Sequence, residues 1–347
     1  MYASELASLG WSAFFLAQLH PDEVAAAAPA RIATVHRTRL AALSARGPTD
    51  LAAAPGQTTG DYAVGDWVLT SGARVVRRLE RRSLIARRAA GTGAERQLIA
   101  ANVDTLFVVT SCNADFNIAR LERYLALAAE AGCAPVVILT RADQADPSPY
   151  VAACAGLRRD LPVLALDARS PDAGAQLADW CGPGQTVALA GSSGTGKSTL
   201  MNSLAGTGAK TQAIRESDAR GRHTTTFRAL RPVPGGGWII DTPGMRELRL
   251  ADAGRGIAET FAEIEDLALA CRFHDCRHET EPGCAVRTAI EEGMLDPRRL
   301  MRWRKLVRED LHNSATLAEA RARQKAFGRV ARRAMRAKED RRRGEGP

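Results

Sequence analysis

The stretch VVILTRADQAD, residues 136–146, ends an apolar run on a Thr-Arg-Ala-Asp corner. Continuous apolar residues closing on a hydroxyl, a guanidinium and a carboxylate read as the tip of a buried parallel strand, with polar groups suited to a nucleotide base. The only phosphate-binding loop in the chain, GSSGTGKST at 191–199, comes later. Nucleotide switch proteins ordinarily place the base reader after the phosphate loop. The reversed order decides how the sheet must be strung.

The string GSSGTGKS satisfies G-x-x-x-x-G-K-[ST] between the strand-like TVALA and the helix-like KSTLMNSLAG, the context this motif requires. Gly191, Ser192, Ser193, Gly194, Thr195, Gly196, Lys197, Ser198 and Thr199 are therefore phosphate-site candidates. Glycines let backbone N–H groups curl around phosphates, and the helix start adds its positive dipole end. Lys197 would reach the β- and γ-phosphates, and Ser198 would ligate Mg²⁺.

Downstream, GWIIDTPG supplies a strand ending in Asp241, which would hold Mg²⁺ through water, and Gly244, whose N–H would meet the γ-phosphate. Between the two phosphate motifs lies GRHTTT. There Thr225 is the candidate to cover Mg²⁺, with Thr224 and Thr226 as alternatives. Met245 follows DTPG where small GTPases carry a water-orienting glutamine, and a thioether cannot polarise water. Slow intrinsic turnover follows, with His223 as the candidate to position water beside Lys197 and Thr225.

A guanine reader needs a carboxylate to accept from the base N1–H and exocyclic amine. Asp143 fits that role, with Thr140 in place of the usual Asn, and Arg141 and Ala142 completing the corner. Arg141 would lay its guanidinium over the purine face. A second base-side loop is expected near 167–170, though the usual Ser-Ala pair is absent. The switch segments then run directly into the C-terminal region, so nucleotide state would be read out there through their order and disorder.

With 347 residues, 45% hydrophobic and 25% charged, the chain has the composition of a soluble multidomain protein. No apolar run approaches the roughly 18 residues of a membrane span. WSAFFLAQL lacks the basic start of a signal peptide, so the expectation is a cytoplasmic protein, monomeric and without a membrane partner. Net charge is +9. Between Arg74 and Arg96 eight arginines face two glutamates, and between Arg321 and Arg343 eleven basic residues face two acidic ones. Two such runs flanking a nucleotide core point to nucleic acid.

The chain divides into an Ala-rich extension (1–30), short strand-like pieces (31–100), an α/β rhythm (101–250), a helical Cys/His region (251–320) and a basic tail (321–347). RIATVHR, YAVGDWVLT, ARVVRRLE and RQLIAANV suggest a small β-barrel, the alternative being an irregular extension packed on the next domain. CRFHDCRHETEPGC offers Cys271, Cys276, His278 and Cys284, with His274 as a further candidate. Three thiolates and one imidazole suit a closed tetrahedral, structural Zn²⁺ site, one per chain.

RRSLIARRAAG, QLIAANVDTLFVV, TRAD, GSSGTGKST, GRHTTT, DTPGMRE and CRFHDCRHETEPGCAV occur in that order. Together they resemble the ribosome small subunit-dependent GTPase A family of circularly permuted bacterial GTPases, over about residues 31–311. The resemblance implies an N-terminal OB-fold, a central permuted P-loop GTPase domain and a C-terminal α-helical zinc domain. It also implies GTP and GDP as ligands, Mg²⁺ with GTP, and the small ribosomal subunit (16S rRNA and its proteins) as partner. Subunit-stimulated hydrolysis in late subunit maturation would be the function. Of the two histidines the family pattern selects His278. The chain departs from the family's usual Lys at Arg141. Two other readings remain open at this point: an ATP-hydrolysing P-loop enzyme or small-molecule kinase, and a DNA-binding zinc protein.

Overall fold

Three short helices, α1 (Tyr2–Ser8), α2 (Ala13–Leu16) and α3 (Pro21–Ala26), lead into the first strands. The computed structural model describes residues 2–88, 96–205, 228–241 and 252–314. The Ala-rich extension is fastened down: Leu9 and Phe15 are buried against Trp67, Leu69 and Leu79. Glu23 grips Arg77 through two charge-assisted hydrogen bonds of 2.6 and 2.7 Å.

Five strands follow: β1 (Ala28–Val35), β2 (Leu40–Ser44), β3 (Gly47–Leu51), β4 (Trp67–Ser71) and β5 (Arg74–Arg78). β1 pairs antiparallel with β2 and β4, β2 with β3, and β4 with β5. A bridge from Ala52 to Arg74 joins the β3 end to β5, so the strands close a barrel in the order β1-β2-β3-β5-β4. Ile32, Leu40, Leu51, Tyr62, Val68 and Val75 fill it. β2 and β3 carry no clear strand pattern, because LAALS is short and GPTDL contains residues poor in strand propensity. RQLIAANV lies outside the barrel: β6 (Leu84–Arg88) and β7 (Arg96–Ala101) pair with each other as a separate ribbon.

The α/β part runs β8 (Thr105–Ser111), α4 (Ile118–Ala131), β9 (Ala134–Thr140), α5 (Ser148–Ala155), β10 (Val163–Ala165), β11 (Thr186–Ala190), α6 (Lys197–Ala205), β12 (Ala229–Pro232) and β13 (Trp238–Asp241). Its sheet has the order β10-β9-β8-β11-β13-β12, parallel except for the edge strand β12. Strands β8, β9 and β11 are apolar and almost wholly buried, as a sheet covered on both faces requires. One pairing of β12 with β1, Thr34 opposite Ala229, continues this sheet into the barrel. Arg31 plugs the junction: it donates to the Leu9 carbonyl and to Thr186 Oγ1, and burial pulls its guanidinium down to about 10.

Helix α4 buries Leu121, Tyr124, Leu125 and Ala128 on the sheet; Asn117 caps its start, and Gly132 ends it in the left-handed conformation. Of the four C-terminal helices, α7 (Gly254–Thr260), α8 (Ala262–Leu269), α9 (Ala285–Glu291) and α10 (Pro297–Ser314), α7 packs on its outer side and α10 reaches it through ion pairs to Glu122 and Arg123. Ile257, Phe261, Ile264, Val286, Leu300 and Leu306 form their core, with Ala126 of α4 contributing to it. Gly256 permits the approach, since a Cβ there would lie 2.0 Å from the Ala126 carbonyl oxygen. No described helix is long and apolar enough to cross a membrane.

Candidate nucleotide site and metal centre

The carboxyl ends of parallel strands are where α/β sheets bind ligands. Strand β11 runs there into the phosphate loop, β9 into the Thr-Arg-Ala-Asp corner, and β13 ends at Asp241. Between the first two lies a cavity of about 550 Å³ lined by Thr140, Arg141, Gln144, Asp167, Ala168 and Arg169 on one side. Gly194, Gly196, Lys197, Ser198 and Thr199 line the other. Three sequence stretches, one before β10 and two after it, thus meet in one space.

The loop's own bonds shape it. Thr195 Oγ1 donates to the Ser192 carbonyl at 3.0 Å, and Lys197 Nζ donates to the same oxygen. Gly191 has φ +145°, and a Cβ there would sit 2.2 Å from the Val109 carbonyl oxygen, so only glycine fits against β8. Ser193 is part of the same turn, exposed before Gly194. The Lys197–Ala205 helix starts directly from the loop, and the amides of a helix's first turn are donors suited to an anion.

Thr140 lines the cavity yet is only 1% exposed, and its hydroxyl is engaged by backbone carbonyls. Its Oγ1 lies 2.8 Å from the Thr195 carbonyl oxygen and 3.0 Å from that of Thr110, and its single proton serves one of them at a time. The residue tethers the Thr-Arg-Ala-Asp corner to the 191–199 loop. Arg141 stands in the left-handed region with φ +58°, and its Nη2 donates to the Gly194 carbonyl at 3.1 Å. Ala142 donates its amide to the Leu166 carbonyl at 3.4 Å. Asp143 accepts from Arg169 Nη2 at 2.8 Å.

Asp241 is half-buried with Arg231 3.7 Å away; burial raises its carboxyl above the ordinary value, and the arginine opposes that rise. His223, Thr225 and Gly244, with Thr224, Thr226 and Met245, lie outside the described residues. Sequence reading missed Arg120, whose Nη1 donates to Ser192 Oγ at 2.7 Å from the first turn of α4. It also missed Gln144 as a cavity residue, whereas Asp167, Ala168 and Arg169 fall in the loop expected near 167–170. A lone arginine in an arginine-rich chain gives no local signal.

At the other end, the side-chain donor atoms of Cys271, Cys276, His278 and Cys284 all lie within 4.8 Å of one another. His278 Nδ1 is 3.6 Å from Cys271 Sγ and 3.4 Å from Cys284 Sγ, and those two sulfurs are 3.9 Å apart. Bond lengths of about 2.3 Å to sulfur and about 2.0 Å to nitrogen put tetrahedral donor pairs at such separations, so the group could hold one zinc ion. His274 is not in the cluster. The ligand loop folds around Glu281, which accepts from the amides of Arg277, Glu279 and Thr280. Its own amide and these hold its carboxyl at about 2.

Comparison with known proteins agrees with this geometry. The family model described as RsgA GTPase matches residues 78–251. The chain is 57% identical over 335 residues to a Mesorhizobium japonicum protein named small ribosomal subunit biogenesis GTPase RsgA, covering 94% of this chain and 96% of that one. It is 48% identical over 330 residues to a Vibrio vulnificus protein named small ribosomal subunit biogenesis GTPase RsgA 2, covering 94% and 93%. Its fold matches the crystal structure of YjeQ from Thermotoga maritima with a TM-score of 0.60 at 21% identity, over 82% of this chain and 99% of that one. The structure of YloQ, a circularly permuted GTPase, matches with a TM-score of 0.59 at 22% identity, over 84% and 97%. With a Thr-Arg-Ala-Asp corner strung before the G-x-x-x-x-G-K-S loop and relatives of this identity along nearly its whole length, the chain belongs to the RsgA GTPase family and is a GTP hydrolase.

Proposed function

We propose that this GTPase acts on the small ribosomal subunit in the cytoplasm, as a monomer, during late maturation, and that the subunit stimulates its hydrolysis. The observation that carries the reading is the 57% identity, over 94% of the chain, to a protein named for small-subunit biogenesis. The barrel, whose strand order is that of an OB-fold, would present strands and loops to rRNA. The arginines of 74–96 and the basic tail would supply phosphate contacts.

In the nucleotide site Asp143 would accept from guanine, Arg141 would cover the purine, and Gly191 to Thr199 would cradle the phosphates. Ser198 and Thr225 would ligate Mg²⁺, which neutralises charge on the β- and γ-phosphates when bound; Asp241 would hold it through water. Gly244 would contact the γ-phosphate and His223 would position water. Cys271, Cys276, His278 and Cys284 would hold Zn²⁺ as a structural ion, and the two switch segments would transmit nucleotide state to the helices it staples.

The test is hydrolysis of GTP against ATP, with and without small ribosomal subunits. GTP preference and stimulation by the subunits are expected. Unstimulated or ATP-preferring turnover overturns the reading. His223→Ala separates the catalytic assignment from the rest: it should abolish the stimulated rate while nucleotide affinity persists.

A further inference from the structure

Asp143 is not itself among the residues that line the cavity; it is joined to them through Arg169. The guanidinium of Arg169 reaches it with Nη2 at 2.8 Å from Oδ2, and Arg169 lines the cavity. Arg169 is itself held. Asp167 Oδ1 accepts from the Arg169 amide at 2.9 Å and lies 3.4 Å from its Nε, a local turn of the kind Asp side chains form with the backbone two residues on. Asp167, Ala168 and Arg169 therefore make a short arm: one carboxylate pins the arginine, and the arginine touches the second carboxylate.

As a stabilising feature this arm amounts to little. The Arg169 side chain is 64% exposed, and exposed ion pairs contribute little to stability. Its geometry is more informative than its energy. A carboxylate has two oxygens with about four acceptor positions, and guanine's N1–H and exocyclic amine use two of them. A guanidinium on one position of Oδ2 leaves the other three free while limiting rotation of the carboxylate. It also stands between two like charges, Asp143 and Asp167, and compensates both.

We infer that Arg169 is a positioning residue for guanine specificity: pinned by Asp167, it orients the Asp143 carboxylate toward the two donors on the base edge. The inference rests on the reading of Asp143 as the guanine acceptor. It adds the arm from the strand beyond β9, where the residues 167–169 stand in place of a Ser-Ala loop.

The test uses the full chain and calorimetric binding of GDP, IDP, ADP and XDP. IDP lacks the exocyclic amine, so it has fewer bonds to lose if Asp143 is misaligned. In Arg169→Ala, GDP affinity should fall about tenfold, the size of one charge-assisted hydrogen bond, IDP clearly less, and ADP not at all. Arg169→Lys should recover part of the GDP loss, because it restores charge but not the fork. Equal losses for GDP, IDP and ADP would mean a structural role only and overturn the inference. Unchanged or tighter GDP binding would make Arg169 a bystander or a competitor for Asp143, and overturn it too. Asp143→Asn tests the underlying reading separately. An amide can donate to xanthine's C2 carbonyl, so preference should move from GDP to XDP. If it does not, the acceptor role of Asp143 fails, and the role of Arg169 with it.

Discussion

Arg299 on α10 donates from Nη1 to the fully buried carboxylate of Glu122 on α4 at 2.8 Å. Arg302 adds Nε contacts of 2.8 Å to both Glu122 oxygens, and Arg299 also reaches Glu263 and the carbonyls of Leu157 and Thr260 while covering the Phe261 ring. This cluster locks the C-terminal helices to the α/β part. The same helix α4 carries Arg120, two residues earlier, to the phosphate loop.

Removing one partner of a buried ion pair leaves the other charge uncompensated. Glu122→Gln should therefore lower unfolding stability by about 3 kcal/mol or more. Replacing Glu122 and Arg299 together by leucine should cost less than the sum of the single changes. Urea midpoints of Glu122→Gln, of Glu122→Leu and Arg299→Leu singly, and of the double leucine variant check this; additive losses would refute the coupling.

Thr140→Val keeps the shape and deletes the O–H. Two buried carbonyls, of Thr195 and Thr110, then share no side-chain donor at that position. A loss of about 1–3 kcal/mol in stability is expected from the unsatisfied acceptors. Nucleotide affinity should fall as well, because the base corner loses its tether to the phosphate loop. Thermal unfolding with and without GDP measures both.

Cys284→Ser should strip bound zinc and loosen α8, α9 and the loop around Glu281, read as lost protection in hydrogen exchange of 262–291. His274→Ala should retain one zinc per chain, since His274 lies outside the ligand cluster. Zinc loss in His274→Ala with retention in His278→Ala would reverse the ligand assignment.

The bond to Arg77, followed by the His20 amide, lowers the Glu23 carboxyl from 4.5 to about 2. A carboxyl depressed by folding contributes stability that is complete above its ordinary value and disappears as pH falls toward its folded one. The difference in melting temperature between the parent and Glu23→Gln should be constant above pH 5 and shrink between pH 4.5 and 2. A difference independent of pH across that window would mean that the pair does not tie α3 to β5.

What the sequence alone determined about this protein is what depends on neighbours in the chain. A phosphate loop works through nine consecutive residues, a metal knot through short spacings, and a strand tip through an apolar run ending in polar groups. Their order along the chain then revealed the permutation. The tertiary structure decided everything joining residues far apart: Arg120 to Ser192 across 72 positions, Arg169 to Asp143 across 26, and Arg299 to Glu122 across 177. These are arginines among 48 basic residues, and nothing in their local pattern sets them apart. The same holds for β2 and β3, whose strand state comes from pairing with β1 and with β5 rather than from their own propensity. The role of Thr140 also changed. Its sequence position marks it as part of a base reader, but burial between two carbonyls makes it the bolt that holds that reader against the phosphate loop.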